Sequence, residues 1–463
     1  MFPEPQDEQV AAVNYPSRKA VLTVELMLFL GLWLFYGTLI NVKNIDDFGQ
    51  SVTEAIVDQH RFSVEGLTAW PVKGDVFGFQ GHTYSNKNPG QAIISSVAYA
   101  HLRMLGISYA DNKFLVGALV IFFSSSLFAA LGSVALFRLA KDLFGTDNVW
   151  PLAGTLVWSV GTTGTVFSGV AWHDVLATAM LVIAVYLLHR IRCGSPAFEQ
   201  ARNFSILAGF LLGVIVTTSM TFFFIVVLFG IYFLSLGKRK LILPFIISGV
   251  VGVAPLFFYN TVNFGDPLMF PAVAYFKYSG MAPDVYFFLD WNNFKNKAVG
   301  YYNLINWYTP ILWPGVVGLI LLPSRVRREQ LFIFGAIVVL VFYMFNVQGF
   351  GVCGYGPRYL MPIMPFCALG IAGFGRIPLK ILRWPLAVGI GLVALYSVRV
   401  NVVGALGGAM YCNYAGFGYY EYIGSLAVGQ ISPFPLLKFL LPLFLIWCVV
   451  ALYLILPEEK KIA

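Results

Sequence analysis

Asp46 and Asp47 stand where the first long apolar run gives way to a polar loop. A carboxylate at the mouth of a membrane helix is placed to act as a general base, because burial there raises its pKa towards a working range. Asp47 followed by Gln50 also fits a helix N-cap with its capping-box partner, which is a structural role only. That role leaves Asp46 unexplained. Two cations are the next candidates. Arg358 follows a Gly356-Pro357 turn signal at the head of an apolar run, and its planar fork suits phosphate oxygens. Lys87 lies in a loop rich in Asn, Pro and Gly, where the plain alternative is a lysine resting among lipid headgroups. No His/Cys cluster with metal-ligand spacing is visible, and five cysteines are too few and scattered for a disulfide scaffold.

These groups have to be positioned by a membrane-embedded chain. Of 463 residues, 58% are hydrophobic and 11% charged, against roughly 25% charged in soluble domains. Apolar runs predict about twelve spans of bilayer length, at 20–40, 114–138, 149–167, 173–191, 204–219, 220–236, 241–259, 307–323, 330–346, 359–375, 384–400 and 434–456. The fifth and sixth nearly touch at Thr217-Thr218-Ser219-Met220, as either a tight turn between two spans or one broken helix. The first run reads as a retained helix rather than a signal peptide. Arg18 and Lys19 before it favour a cytoplasmic N-terminus, and every connector then expected inside is basic, from Arg138 and Lys141 through Lys238-Arg239-Lys240 to Lys460-Lys461. The net charge of +8 thus reflects membrane orientation, and nothing suggests nucleic-acid binding.

The loops expected outside, 41–113, 260–306, 347–358 and 401–433, are longer and hold most of the aspartates and turn signals. In the first of them, Phe48, Val52, Ala55 and Ile56 make one face of a short helix, with Gln50, Ser51, Glu54 and Asp58 opposite. A second helix follows Pro89, with Ile93, Ile94, Val97, Ala98 and Leu102 apolar. Both are expected to lie in the membrane interface.

The order of these features resembles the GT-C superfamily of membrane glycosyltransferases, which includes lipid A aminoarabinose transferases and protein O-mannosyltransferases. Asp46-Asp47 matches the acidic pair after the first helix, and Tyr84-Ser85-Asn86-Lys87-Asn88-Pro89-Gly90 matches a Tyr-Ser-x-Lys-x-Pro-Gly segment. The stretches Tyr259-Asn260-Thr261-Val262-Asn263-Phe264-Gly265-Asp266-Pro267 and Gly356-Pro357-Arg358-Tyr359-Leu360-Met361-Pro362 resemble later loops of the same group. The chain departs from that pattern at Asp47, where relatives often have Glu, and at Asn88, where some have Pro.

The resemblance implies transfer of a sugar from a polyprenyl-phosphate donor to a glycolipid, polysaccharide or protein acceptor on the extracytoplasmic side of a plasma membrane. Asp46 or Asp47 would be the base, and direct displacement would invert the anomeric carbon. Lys87 matches the family lysine that contacts the donor phosphate, and Arg358 would add a second contact. Tyr84, Tyr259 and Asn260 are candidates for the substrate, the last two alternatively marking the end of a span. His82 would bind a metal or the sugar, or neither. His173-Asp174 would line the acceptor cavity, or Asp174 would cap a helix. Some relatives use Mg²⁺ or Mn²⁺ and others none, so a divalent ion shared by carboxylate and phosphate stays open. Cys353 and Cys412, both on outside loops, would pair if their Cα atoms come close enough. The expected whole is a single all-α, GT-C-like polytopic domain over 1–463. A flippase, transporter or non-catalytic binder of lipid-linked sugars is the rival reading. A transporter would place ionisable groups along a mid-membrane path; Glu25 is the clear exception to their concentration outside.

Overall fold

In lipid, backbone groups must pair within their own segment, so apolar runs of bilayer length become helices. The computed structural model describes residues 18–45, 48–70, 75–194, 196–279, 291–346, 355–407 and 433–455. Its first helices are α1 (Arg18–Thr38), α2 (Val42–Ile45), α3 (Phe48–Asp58), α4 (Gly90–Met104), α5 (Tyr109–Ile121), α6 (Leu127–Phe144), α7 (Val149–Gly161), α8 (Thr163–Phe167) and α9 (His173–Cys193). They are followed by α10 (Phe198–Thr218), α11 (Phe223–Ser235), α12 (Arg239–Phe264), α13 (Pro271–Tyr278), α14 (Trp291–Tyr308), α15 (Leu312–Gly318), α16 (Arg327–Phe345), α17 (Met364–Leu369), α18 (Lys380–Gly407) and α19 (Leu437–Ile455). A π turn over Phe122–Ser126 joins α5 to α6 in one long span, and tight helical turns flank α17 from Arg358 to Arg376.

Among the described residues, seven helices are long and apolar enough to cross a membrane, or eight if the pair Trp291–Tyr308 and Leu312–Leu321, bent by 102°, is one span. Length and composition therefore give fewer spans than the dozen expected. The other four expected positions carry shorter apolar helices: Thr23–Thr38, Val149–Gly161, Met220–Ser235 and Leu437–Ala451. α7 stops because Thr162 turns extended, and its hydroxyl accepts from Gly164 N to start α8. The close pair 204–219 and 220–236 is two helices, broken where Ser219 turns extended at φ −154°, ψ 122°.

Two spans are far more enclosed than the rest. His173–Cys193 and Arg358–Arg376 are each 89% buried over their apolar windows, whereas Ile381–Gly407 is 17% buried. The first residues of the two enclosed spans are thus held by protein on nearly all sides. α10 and α12 approach closely through glycines. A Cβ on Gly213 would lie 2.2 Å from the Gly249 carbonyl oxygen, and one on Gly252 2.3 Å from that of Phe210. Such small-residue seams let helix backbones touch in lipid. Glu25, the charge that stood out in the first span, pairs with Arg138, whose Nε donates to Oε1 at 2.8 Å, so the buried carboxylate is compensated.

The segment before Lys87 departs from an all-helical expectation. β1 (Val76–Phe79) and β2 (His82–Ser85) form an antiparallel hairpin with Phe77 opposite Tyr84 and Phe79 opposite His82. Gln80 and Gly81 both have positive φ, 50° and 84°, as a two-residue hairpin turn of the primed type requires. The two loop helices also sit differently from simple interfacial helices. On α3 the polar face is buried: Gln50 donates to Gly117 O and accepts from Tyr109 Oη, and Glu54 accepts from the backbone N–H groups of Ala69 and Trp70. On α4 the buried face is Gln91, Ser95, Ser96 and Tyr99, while Val97 is 59% exposed. Both helices turn polar groups inward, because protein supplies hydrogen-bond partners that lipid does not.

Gly213→Val drives a branched side chain into the α12 backbone and is expected to lower the melting temperature of the detergent-solubilised protein by several degrees, in line with overpacking of about 1–3 kcal/mol. Gly230→Ala, at a position whose Cβ meets nothing within 4 Å, is the control and should leave it unchanged. Thermal unfolding followed by size-exclusion fluorescence reads both.

Candidate functional site

The Lys87 loop is held at three points. Asn86 N donates to Asp75 O at 2.9 Å, Asn88 Nδ2 donates to Val216 O at 2.9 Å, and Gly90 opens α4 against the end of α10. A Cβ on Gly90 would stand 2.6 Å from Thr218 N and Cα, so only glycine permits this approach. Lys87 Nζ is 3.1 Å from Asp75 Oδ2 and 5.8 Å from the centroid of the Trp172 ring.

Trp172 is the residue just before α9. Its backbone is extended, its side chain is 3% exposed, and its Nε1 donates to Asp174 Oδ2 at 2.9 Å. His173 stacks on the same indole with ring centroids 5.3 Å apart, and its Nε2 lies 3.3 Å from Asp174 Oδ1. Asp174 thus holds both rings; the carboxylate is a positioning group for the indole.

Arg358 reaches the same indole from another span. Gly356 takes φ 61°, with Thr163 and Tyr308 packed where a Cβ would stand, and this turn directs Arg358 inward. The Arg358 Cζ lies 4.9 Å from the Trp172 ring centroid. Arg358 is 6% exposed, and among the described residues its Nε and Nη1 have no hydrogen-bond partner. Stacking on an indole compensates part of the cost of burying a guanidinium. Two buried donors left unpaired are costly, and an anion accepting both would remove that cost.

Beside these groups a pocket is lined by Gly49, Ser85, Lys87, Asn88, Gln91, Trp172, His173 and Tyr259, among others. An apolar groove runs between α10, α11 and α12, lined by side chains such as Leu212, Val216, Met220, Phe223, Val253 and Phe257. Val216, on that groove, is the residue whose carbonyl anchors Asn88, so groove and pocket adjoin.

Lys87, His173 and Tyr259 thus line the pocket, and Arg358 and Asp174 adjoin it through Trp172. Tyr84, His82 and Asn260 lie apart from the pocket lining. Tyr84 packs into an aromatic cluster, edge-on to Phe264 at 5.4 Å. Burial raises its phenol pKa, and the Glu65 charge adds to the rise. His82 is half-exposed, with Nδ1 2.9 Å from Glu65 Oε1. Asn260 Nδ2 donates to Pro267 O at 2.9 Å and closes the turn after α12, leaving its Oδ1 buried without a partner among the described residues. Asp46, Asp47, Cys353 and Cys412 lie outside the described residues. Gly49, two residues after Asp47 in sequence, lines the pocket.

Three participants were missed in the sequence. Trp172 carries no motif in the sequence, and only its contacts distinguish it. Asp75 carries no motif, although its left-handed backbone (φ 44°) and pairing with Lys87 depend on the hairpin that follows. Gln91 follows Pro89-Gly90, donates to Ser95 Oγ at 3.0 Å, and keeps a buried Oε1 without a partner among the described residues.

No protein-family model matches the sequence, and no curated protein matches it. Solved structures do match in fold. ArnT from Cupriavidus metallidurans bound to undecaprenyl phosphate is 12% identical, with a TM-score of 0.53 over 94% of this chain and 75% of its own. The same protein in the apo state is 13% identical with a TM-score of 0.53, over 93% and 72%. The Archaeoglobus fulgidus oligosaccharyltransferase tethered to an acceptor peptide is 12% identical with a TM-score of 0.52, over 83% of this chain and 55% of its own. At these identities the likeness is one of fold, and this chain shares the polytopic membrane fold of both proteins.

Glu65 ties His82 and the hairpin to the preceding turn. Burial alone would raise its carboxyl, but hydrogen bonds from His82, Thr83 N and Ser63 bring it down to about 2 from an ordinary 4.5. A depressed folded pKa contributes stability that is complete above the unfolded value and is lost as pH falls through the folded value. Protection of the Thr83 amide, measured by hydrogen exchange and corrected for intrinsic rate, should therefore fall between about pH 4.5 and pH 2. In Glu65→Gln that dependence should be absent and protection at neutral pH lower.

Proposed function

We propose that this protein is an integral-membrane glycosyltransferase that takes a sugar from a polyprenyl-phosphate donor and passes it to an acceptor hydroxyl or amide, with inversion. The observation that carries the reading is Arg358. It is a buried guanidinium stacked on Trp172, with Nε and Nη1 unpaired among the described residues, and Lys87 stands at the same indole. A phosphate or phosphodiester fits this pair by charge and by fork geometry. The apolar groove that adjoins the Lys87 loop suits a polyprenyl tail. A GT-C-like neighbour, ArnT, binds undecaprenyl phosphate, which supports the same donor class here.

The acceptor heteroatom attacks the anomeric carbon while Asp46 or Asp47 takes its proton. The carbon–oxygen bond to phosphate breaks, and the polyprenyl phosphate leaves with the electron pair. Arg358 and Lys87 neutralise the charge that grows on the departing oxygens. Among the described residues the acids around the pocket are engaged, Asp75 with Lys87 and Asp174 with Trp172 and His173. A divalent ion, Mg²⁺ or Mn²⁺, would accordingly rest on Asp46 or Asp47 and supply Lewis-acid assistance to phosphate departure. The pocket, and with it the glycolipid, polysaccharide or protein acceptor, would face the extracytoplasmic side of a plasma membrane, with both termini inside. The basic connectors at the opposite helix ends support this orientation.

The test is binding of undecaprenyl phosphate to the purified protein in nanodiscs. Arg358→Lys keeps the charge and loses the fork, and should weaken binding about tenfold; Arg358→Ala should weaken it about a hundredfold, as loss of charge-assisted hydrogen bonds worth about 1.5–3 kcal/mol predicts. Equal affinity in wild type and Arg358→Ala would remove the phosphate assignment. NMR of the product should show the anomeric configuration opposite to the donor's; an unchanged configuration would rule out the single displacement.

A further inference from the structure

We infer that the end of α9 opposite the pocket carries a zinc-type metal site made of His189, Cys193 and Glu329. This inference does not depend on the proposed glycosyl transfer. α9 has 21 residues, so at about 1.5 Å per residue the site lies about 30 Å from Trp172. His189 and Cys193 are one helical turn apart on α9, and Glu329 comes from the first turn of α16. His189 Nδ1 lies 3.1 Å from Glu329 Oε1, Cys193 Sγ lies 3.8 Å from the same oxygen, and all three ligand atoms are within 4.8 Å of one another.

The two separations to Glu329 Oε1 match edges of a tetrahedral site. With bonds of about 2.0–2.1 Å to nitrogen and oxygen and about 2.3 Å to sulfur, neighbouring ligand atoms stand about 3.3 Å (N and O) and about 3.6 Å (S and O) apart. One imidazole, one thiolate and one carboxylate form a mixed set that suits Zn²⁺ among common divalent ions. The fourth position is left for water.

The surroundings favour such a centre. Glu329 is 4% exposed and His189 2%, while Cys193 is exposed and gives an ion its way in. Arg192 binds Glu329 Oε2 and leaves Oε1 to face His189 and Cys193. Tyr232 Oη donates to Oε1 at 2.9 Å, an outer hydrogen bond of the kind that orients a ligating carboxylate. The thiolate would bring a negative charge to the ion, and the carboxylate would be shared between the ion and Arg192. The bound ion would join α9 to α16 at their adjacent ends.

The experiment uses the full chain in nanodiscs, freed of metal by chelation and titrated with Co²⁺ alone. One Co²⁺ per chain is expected, with the visible bands of a tetrahedral centre and a thiolate-to-cobalt charge-transfer band, both displaced by Zn²⁺. Cys193→Ser should abolish the charge-transfer band. Glu329→Gln keeps an acceptor for Tyr232 and Arg192, and should weaken Co²⁺ binding about tenfold or more. Zn²⁺ should raise the melting temperature of the wild type and of neither variant. If Cys193→Ser does not fold, Glu329→Gln and the zinc-dependent melting shift decide the question. A charge-transfer band that survives Cys193→Ser, Co²⁺ affinity unchanged in Glu329→Gln, or no saturable Co²⁺ binding would overturn the assignment.

Discussion

A guanidinium enclosed by membrane helices is the constraint around which this molecule is arranged. Arg358 gives up water at a span that is almost wholly surrounded by protein. The π face of Trp172 returns part of that loss, and the indole keeps its angle because Asp174 accepts from Nε1. Asp174 in turn begins the other deeply enclosed span, so the two best-packed elements of the fold meet at their first residues. What remains uncompensated is a pair of donors, and the chemistry that fits them is an anion.

Lipid as solvent explains the rest of the arrangement. α3 and α4 keep polar side chains inward because only protein can pair them, and α4 leaves Val97 outside. The contact of Gly90 with Thr218, and the hydrogen bond from Asn88 to Val216, fasten the Lys87 loop to the end of α10. The same stretch of α10 walls an apolar groove. A ligand with a charged head and a long apolar tail is therefore the class that the two neighbouring surfaces fit together.

The parts of this arrangement that could be read in the sequence are those set by local pattern. Apolar runs named the helices, and the break near Ser219 was visible as a run of small polar residues between two apolar segments. Arg358 was legible from residue type and the turn signal before it, Lys87 from the segment resembling the GT-C pattern, and the structure brings both to one indole. Three features were not legible, each for a physical reason. The hairpin at 76–85 was hidden because Gln80-Gly81 is a weak turn signal and its apolar residues pack on Phe264 and Tyr278 from distant segments. Trp172 carried no signal of its own in the sequence, since its role lies in what stacks against it. The apolar spacing on α3 and α4 placed both in the membrane interface, whereas polar side chains such as Gln50, Glu54 and Gln91 are buried in protein beside the apolar Val52, Ala55 and Leu102. His82 and Tyr84, adjacent in sequence to the Lys87 loop, face Glu65 and an aromatic cluster, because residues on a strand alternate faces and the loop turns after Ser85.

The central claim is catalysis of sugar transfer from a lipid phosphate, and the most direct measurement is donor turnover by the purified protein in nanodiscs. A panel of polyprenyl-phosphate sugars is supplied with membrane extract as the acceptor source, and released polyprenyl phosphate is quantified for wild type, Asp46→Asn and Asp47→Asn. Release by the wild type that vanishes in one aspartate variant is the predicted result, and it identifies the base. Donors that bind and never turn over, or equal turnover in wild type and both variants, would contradict the account.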